Sequence, residues 1–182
     1  FRFSAREEAD LFRGLKPGSD TALFSGLLVH LADNGALDRD YIASFTGDFD
    51  AALAQARTIA GGTAATALAT GLSEQDVAAF FAMVRTTPRI VTAFSQGVNQ
   101  SAQGTDKVNA IINCHLATGR IGKPGAGPLS LTGQPNAMGG REVGGLANQL
   151  AAHMGFTQGD VDRVRRFWKS PNVAPREGLK AV

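Results

Sequence analysis

"RIVTAFSQGVNQSAQGTDKVNAIINCHLATG", residues 89–119, decides the fold. Residues 89–94 are a short apolar run with β-branched Ile90, Val91 and Thr92, placed after a helical pattern and before Gly97, which predicts a strand. A polar, glycine-bearing turn follows. Val108, Ile111, Ile112 and Leu116 then recur at the three- and four-residue spacing of a helix with one core face. Helix, strand, turn and helix in this order belong to an open α/β sheet, where ligands collect beyond the carboxyl ends of the strands. Gly97 and Gly104 allow close approach of a backbone. Gln96, Asn99 and Gln100 offer amide donors and acceptors suited to a polar heterocycle or a phosphate, and a helix starting near Thr105 has free N–H groups that favour an anion. The same residues also compose an ordinary polar strand-to-helix turn.

Upstream the chain reads as helices separated by turn signals. "SDTALFSGLLVHLADNG", residues 19–35, has Ser19 or Asp20 as N-cap, apolar Leu23, Leu27, Leu28 and Leu31, and a stop at Asn34-Gly35. Shorter helices are predicted in "LDRDYIASF" and "DFDAALAQARTIA". "LSEQDVAAFFAMVRTT" is capped by Ser73, turns Val77, Phe80, Phe81 and Val84 to the core, and is ended by Pro88. Downstream, nine glycines and three prolines between Gly119 and Gly145 predict a region without regular structure, longer than a connector. "GRIGKPGAG", residues 119–127, does not follow a strand and lacks the lysine with adjoining Ser or Thr of a phosphate loop.

Composition narrows the function classes. The chain has 182 residues, 43% of them hydrophobic, enough for a real core in one domain or one domain with part of a second. Its 18 basic and 16 acidic residues nearly balance, at a formal net charge of +2, which does not indicate nucleic acid. No apolar run approaches the roughly 18 residues that span a bilayer. A single cysteine, Cys114, excludes an internal disulfide and cannot alone hold an iron–sulfur cluster or structural zinc, and its apolar neighbours place it in the core. His30, His115 and His153 are scattered, unlike metal ligands at helical spacing, and read as structural or surface residues. Trp168 reads as a partly buried core aromatic, beside a solvated face of Arg163, Arg165, Arg166 and Lys169. The opening "FRFSAREEAD" and the closing "REGLKAV" both break off in mid-pattern, so a piece of a longer protein is expected.

The succession from Phe94 to Phe156, "FSQGVNQSAQGTDKVNAIINCHLATGRIGKPGAGPLSLTGQPNAMGGREVGGLANQLAAHMGF", resembles the central part of molybdopterin-dependent oxidoreductases of the dimethyl sulfoxide reductase family. Within that family it is most like the catalytic subunit of bacterial assimilatory nitrate reductase. The resemblance implies an internal fragment: residues 1–134 as part of an α/β domain that binds molybdopterin guanine dinucleotide, and residues 135–182 returning into a neighbouring domain. The implied fold is a helix-rich, Rossmann-like fragment with a short parallel sheet and a long Gly/Pro-rich loop region.

Family members carry molybdenum between two pterin-guanine dinucleotides, and a [4Fe-4S] cluster bound through a cysteine motif absent here. The implied parent reduces nitrate to nitrite in the cytoplasm, with an electron-donor protein or subunit and its own remaining domains as partners, and neither nucleic acid nor membrane. The isolated fragment is expected to carry no metal and no activity. By the same resemblance "SQGVNQ" nominates Gln96, Gly97 and Gln100 for cofactor binding, although other members commonly carry Met where this chain has Gln96. "TGQP" nominates Gln134 as a hydrogen-bond donor near the molybdenum, polarising an oxo group or positioning nitrate, with Thr132 and Gly133 shaping the approach. Arg141 would meet a cofactor phosphate, the substrate, or a carboxylate of another domain. A formate dehydrogenase or other molybdopterin oxidoreductase on the same scaffold is one alternative, and a non-catalytic nucleotide-binding or partner-docking module is another.

Overall fold

The computed structural model describes residues 7–131 and 136–179, and the chain divides into two compact units, residues 1–131 and 132–182. The architecture is α/β and helix-rich. The first unit contains α1 (Asp20–Asp33), α2 (Arg39–Phe45), α3 (Phe49–Ala60), α4 (Thr63–Thr70), α5 (Glu74–Thr86), β1 (Val91–Phe94), α6 (Gln96–Asn99), α7 (Gly104–Ala117) and β2 (Gly127–Ser130).

Helix α1 is the hub of this unit and packs on α3, α4, α5 and α7. Leu23, Leu27, Leu28, Val29 and Leu31 are all buried, and they meet Val77, Phe81 and Val84 of α5 and Cys114 of α7 in one cluster. Burying one such large side chain contributes about 1.5 to 3 kcal/mol. The helix stops as its sequence predicts. Gly35 takes the left-handed conformation at φ +68°. The Ala36 N–H then returns to the Leu31 carbonyl at 2.9 Å. Ser19 stands at the N-cap position, but its hydroxyl donates to the Lys16 carbonyl (2.6 Å) instead of accepting from the helix. Ser73 does cap α5, accepting from the Asp76 N–H at 3.1 Å.

Three features depart from the sequence reading. Helix α4 was not expected, because "TAATALAT" is short and threonine-rich. Its Thr66 and Thr70 are fully buried, each hydroxyl donating one turn back along the helix, to Gly62 and Thr66 carbonyls at 2.8 and 2.7 Å. Helix α7 presents another phase: Lys107, Ala110, Ile111, Cys114 and Ala117 are buried, while Val108, Ile112 and Leu116 are only half-buried. Polar Lys107 and His115 sit on the inward face and hide it from an apolar count; Lys107 Nζ is neutralised by Asp20 of α1 at 3.0 Å.

The third departure lies in the Gly/Pro-rich stretch, which does hold regular structure: β2, and α8 (Ala137–Glu142). Strand β2 pairs in parallel with β1, Val91 opposite Gly127 through Phe94 opposite Ser130. The N–H groups of Gly127 and Leu131 donate to the Ile90 and Phe94 carbonyls. Alternation along a strand therefore turns the nitrogen of Pro128 away from β1, so the proline costs the ladder nothing.

The second unit contains α8, a 3-10 turn at Ala151–His153 and α9 (Gln158–Trp168). Leu150, Val161 and Val164 form its core with Met154, Phe156 and Val173. Thr157 caps α9 by accepting from the Asp160 N–H at 3.2 Å. Trp168 is not a core aromatic: 49% of its surface is exposed, and it stacks edge-on with exposed Phe167. Arg163, Arg166 and Lys169 are solvated, as their pattern suggests. Among the described residues, no helix is long and apolar enough to cross a membrane.

Candidate functional site

Gln96, Gly97 and Gln100 stand together where β1 ends. The strand runs directly into α6, a single turn in which the Val98 and Asn99 N–H groups donate to the Ser95 carbonyl and the Gln100 N–H donates to the Gln96 carbonyl, all at 3.0 Å. Gln96 is half-buried; Gly97 and Gln100 are exposed. Two side chains clasp this turn to the carboxyl end of β2: Ser95 Oγ donates to the Leu131 carbonyl at 2.7 Å, and Asn99 Nδ2 donates to Ser130 Oγ at 3.0 Å. The carboxyl ends of two adjacent parallel strands thus form one rim, the place where α/β sheets receive ligands. Asn99, which the sequence offers as a ligand-binding amide, already spends one N–H of its amide on this clasp. Ser95 and Ser130 carry no sequence signal of their own, since their pairing exists only through the strand register.

The two glycines of the turn differ in what demands them. A β-carbon at Gly104 would press on the Val98 and Asn99 carbonyl oxygens at 2.8 and 3.0 Å, so Gly104 is required by the close packing of α6 on α7. A β-carbon at Gly97 would meet nothing within 4 Å, and Gly97 is not among the positive-φ residues. Neither backbone conformation nor packing within the described residues calls for a glycine there. A small cavity of about 240 Å³ beside the turn is lined by Asn99, Gly104, Thr105, Val108 and Asn109. The first turn of α7 carries Asp106, whose charge opposes an anion at that helix end.

Behind the rim, His115 of α7 is 3% exposed, and its Nε2 lies 2.7 Å from Thr92 Oγ1 of β1. Its Nδ1 is buried without a partner among the described residues. Burial, and then the charge of Arg120, lower its pKa to about 4, so the ring is neutral at pH 7. Arg120 itself is buried and donates to the Val84 and Thr87 carbonyls at 2.7 and 2.8 Å, closing the C-terminus of α5. The arginine of "GRIGKPGAG" is therefore a helix cap. Cys114 Sγ lies 3.2 Å from the Phe24 carbonyl, and burial pushes the thiol up to about 12, which leaves it no nucleophilic role.

Thr132, Gly133 and Gln134 lie outside the described residues. Arg141 is exposed on α8, where its carbonyl accepts from Gln149 Nε2 at 2.9 Å. The neighbouring Glu142 pairs with His153 Nε2 at 2.7 Å. Among the described residues, no group of three or more His, Cys, Asp or Glu side chains is arranged to hold a metal ion.

No family model matches the chain. Comparison with curated proteins finds the nitrate reductase of Shewanella frigidimarina 50% identical over 176 residues, which is 97% of this chain and 19% of that protein. The nitrate reductase of Klebsiella oxytoca is 49% identical over 96% of this chain and 19% of its own length. The assimilatory nitrate reductase catalytic subunit of Bacillus subtilis is 31% identical over 95% of this chain and 24% of its own length. The chain thus spans about a fifth to a quarter of the length of the curated relatives it matches. It is, over nearly all of its 182 residues, a homologue of a segment of nitrate reductases, the assimilatory catalytic subunit among them.

Proposed function

We propose that this chain is a cofactor-binding segment of the catalytic subunit of a cytoplasmic, molybdenum-dependent nitrate reductase. Its first unit would be a Rossmann-like part of a domain that binds molybdopterin guanine dinucleotide, and its second unit would run on into a neighbouring domain. The observation that carries the reading is the rim itself, with a glycine at position 97 that the described residues do not require and amides at Gln96 and Gln100 on either side of it. A bare backbone flanked by amides fits a large planar cofactor with polar edges, which needs close approach and several hydrogen bonds. The relatives' names favour nitrate over formate as the substrate of the parent enzyme.

In this reading Gln96 and Gln100 hold the dinucleotide, and Gly97 admits it. Gln134, with Thr132 and Gly133, would serve the metal site, offering an amide hydrogen bond to nitrate; a neutral donor orients an oxyanion without adding repulsion. When bound, the molybdenum cofactor would supply the two-electron chemistry that reduces nitrate to nitrite, with electrons that would come from a donor protein by way of a [4Fe-4S] cluster elsewhere in the parent. The segment alone lacks the cluster cysteines and the metal ligand, so by itself it is inactive and metal-free.

The test is Gln100→Ala in the full-length protein, read by molybdenum and pterin content. An unpaired buried polar group on the cofactor costs about 1 to 3 kcal/mol. Reduced cofactor retention is expected. Undiminished content would remove Gln100 from the site, and formate turnover without nitrate turnover would replace the substrate.

A further inference from the structure

Helix α6 buries none of its four residues; it approaches α7 closely at Gly104 and is clasped to β2 through Ser95 and Asn99. It continues directly from β1, so the placement of that strand sets where the turn begins. That strand is also short, and it is paired along one edge with β2. Among the described residues, one side-chain hydrogen bond ties β1 to α7, the bond between Thr92 Oγ1 and His115 Nε2 at 2.7 Å. Thr92 and Phe94 are the half-buried residues of the strand, while Val91 and Ala93 are exposed. Three residues beyond Thr92, the Ser95 carbonyl accepts the two N–H groups that close the turn, and the Ser95 hydroxyl clasps β2.

His115 is well placed to serve as an anchor. It is 3% exposed and sits between Cys114, bonded to α1 at Phe24, and Arg120, bonded to α5 at Val84. A cavity of about 400 Å³ also borders it, lined among others by Phe80, Met83, Val91 and Thr92. The strand is therefore not wedged in place by close packing on every side. A directional bond is left to set its position.

We propose that His115 is a positioning residue: through Thr92 it fixes β1 against α7 and thereby sets the turn that presents Gln96, Gly97 and Gln100. This rests on the reading of that turn as a cofactor contact, but the positioning is measurable without cofactor. Thr92→Val keeps the shape and removes the hydroxyl; His115→Leu removes the ring nitrogen; His115→Gln returns a polar atom near Nε2.

In the 182-residue chain, amide hydrogen exchange at Val98, Asn99 and Gln100 should quicken about 5- to 10-fold in Thr92→Val and His115→Leu, the loss of one net hydrogen bond. Leu27 and Leu28 in α1 should keep their protection, and His115→Gln should restore the turn. Unchanged exchange at the turn, or equal acceleration in α1, would overturn the proposal, because the pair would then be ordinary core structure. Cofactor content of full-length Thr92→Val separates the two readings. Faster turn exchange with normal cofactor content leaves the positioning in place and sinks the cofactor assignment.

Discussion

Gly26 of α1 and Thr66 of α4 share one point of the helix crossing: a β-carbon at Gly26 would overlap Thr66 Oγ1 and lie 3.2 Å from Phe81 Cζ. The three residues come from three different helices, and Thr66 and Phe81 are both fully buried. The missing side chain at position 26 is what lets α4 lie against the central helix. None of the three can withdraw without opening the core.

Gly26→Ala should therefore destabilise the first unit despite alanine's better helix propensity. Overpacking of this kind typically costs about 1 to 3 kcal/mol, against roughly 1 kcal/mol gained from propensity. A lowered urea midpoint with unchanged slope is expected. The double variant Gly26→Ala, Thr66→Ala should recover part of the loss by removing the overlapping hydroxyl. A Gly26→Ala protein as stable as the parent would show that α4 does not pack here.

Stability should fall between pH 6.5 and pH 4. His115 has an ordinary unfolded pKa near 6.5 and a folded pKa of about 4, lowered by burial and by Arg120. Within that window the unfolded chain binds a proton that the folded chain does not, so protonation favours unfolding as pH drops. His30, also lowered by burial and then by Arg85, adds to the same slope. The exposed ion pairs of Asp33 and Asp76, whose carboxyls are held below their usual range, respond only at lower pH. At 1.36 kcal/mol per unit, His115 can contribute on the order of 3 kcal/mol across the window. Urea titrations at pH 7 and pH 5 should show the loss, and His115→Gln should flatten the difference. A flat profile in the parent chain would mean that His115 is solvated.

Arg120 should matter more for its geometry than for its charge. One nitrogen of its guanidinium, Nη2, donates to both the Val84 and the Thr87 carbonyl, and a lysine would have to bring its ammonium to that same point on a differently shaped stem. Arg120→Lys is expected to be intermediate and Arg120→Met severe, by about 2 to 4 kcal/mol, since two carbonyls lose their donor. Thermal unfolding orders the three proteins; equal midpoints would discard the cap.

What was legible in the sequence and what was not divide along physical lines. Helix α1 announces itself because its stop, Asn34-Gly35, is local chemistry and its leucines repeat without interruption. The phase of α7 is not legible, because Lys107 and His115 are buried through partners, Asp20 and Thr92, that lie far away in the chain. Strand β2 is hidden for a related reason. "GPLS" has poor strand composition, and it becomes a strand only when β1 supplies the opposing ladder and leaves the Pro128 nitrogen outside it. The turn at Gln96–Gln100 could be located from the alternation of elements, whereas the Ser95 and Asn99 clasps depend on register, which no single stretch encodes.

Gln134 carries the sharpest consequence for turnover. If its amide donates to nitrate beside the metal, Gln134→Ala removes a donor that acts chiefly as charge shifts during reduction, and losing one such donor often costs on the order of 100-fold in rate. Gln134→Glu keeps size and reach but offers a carboxylate to an anion, so it should be at least as slow and should also raise KM for nitrate, which alanine need not do. Both variants must be compared at equal molybdenum content in the full-length protein, which separates a failed reaction from a lost cofactor. A Gln134→Ala enzyme with normal kcat, together with a Gln134→Glu enzyme with unchanged KM, would place this side chain away from the reacting oxygen. The "TGQP" loop would then serve only to hold the cofactor.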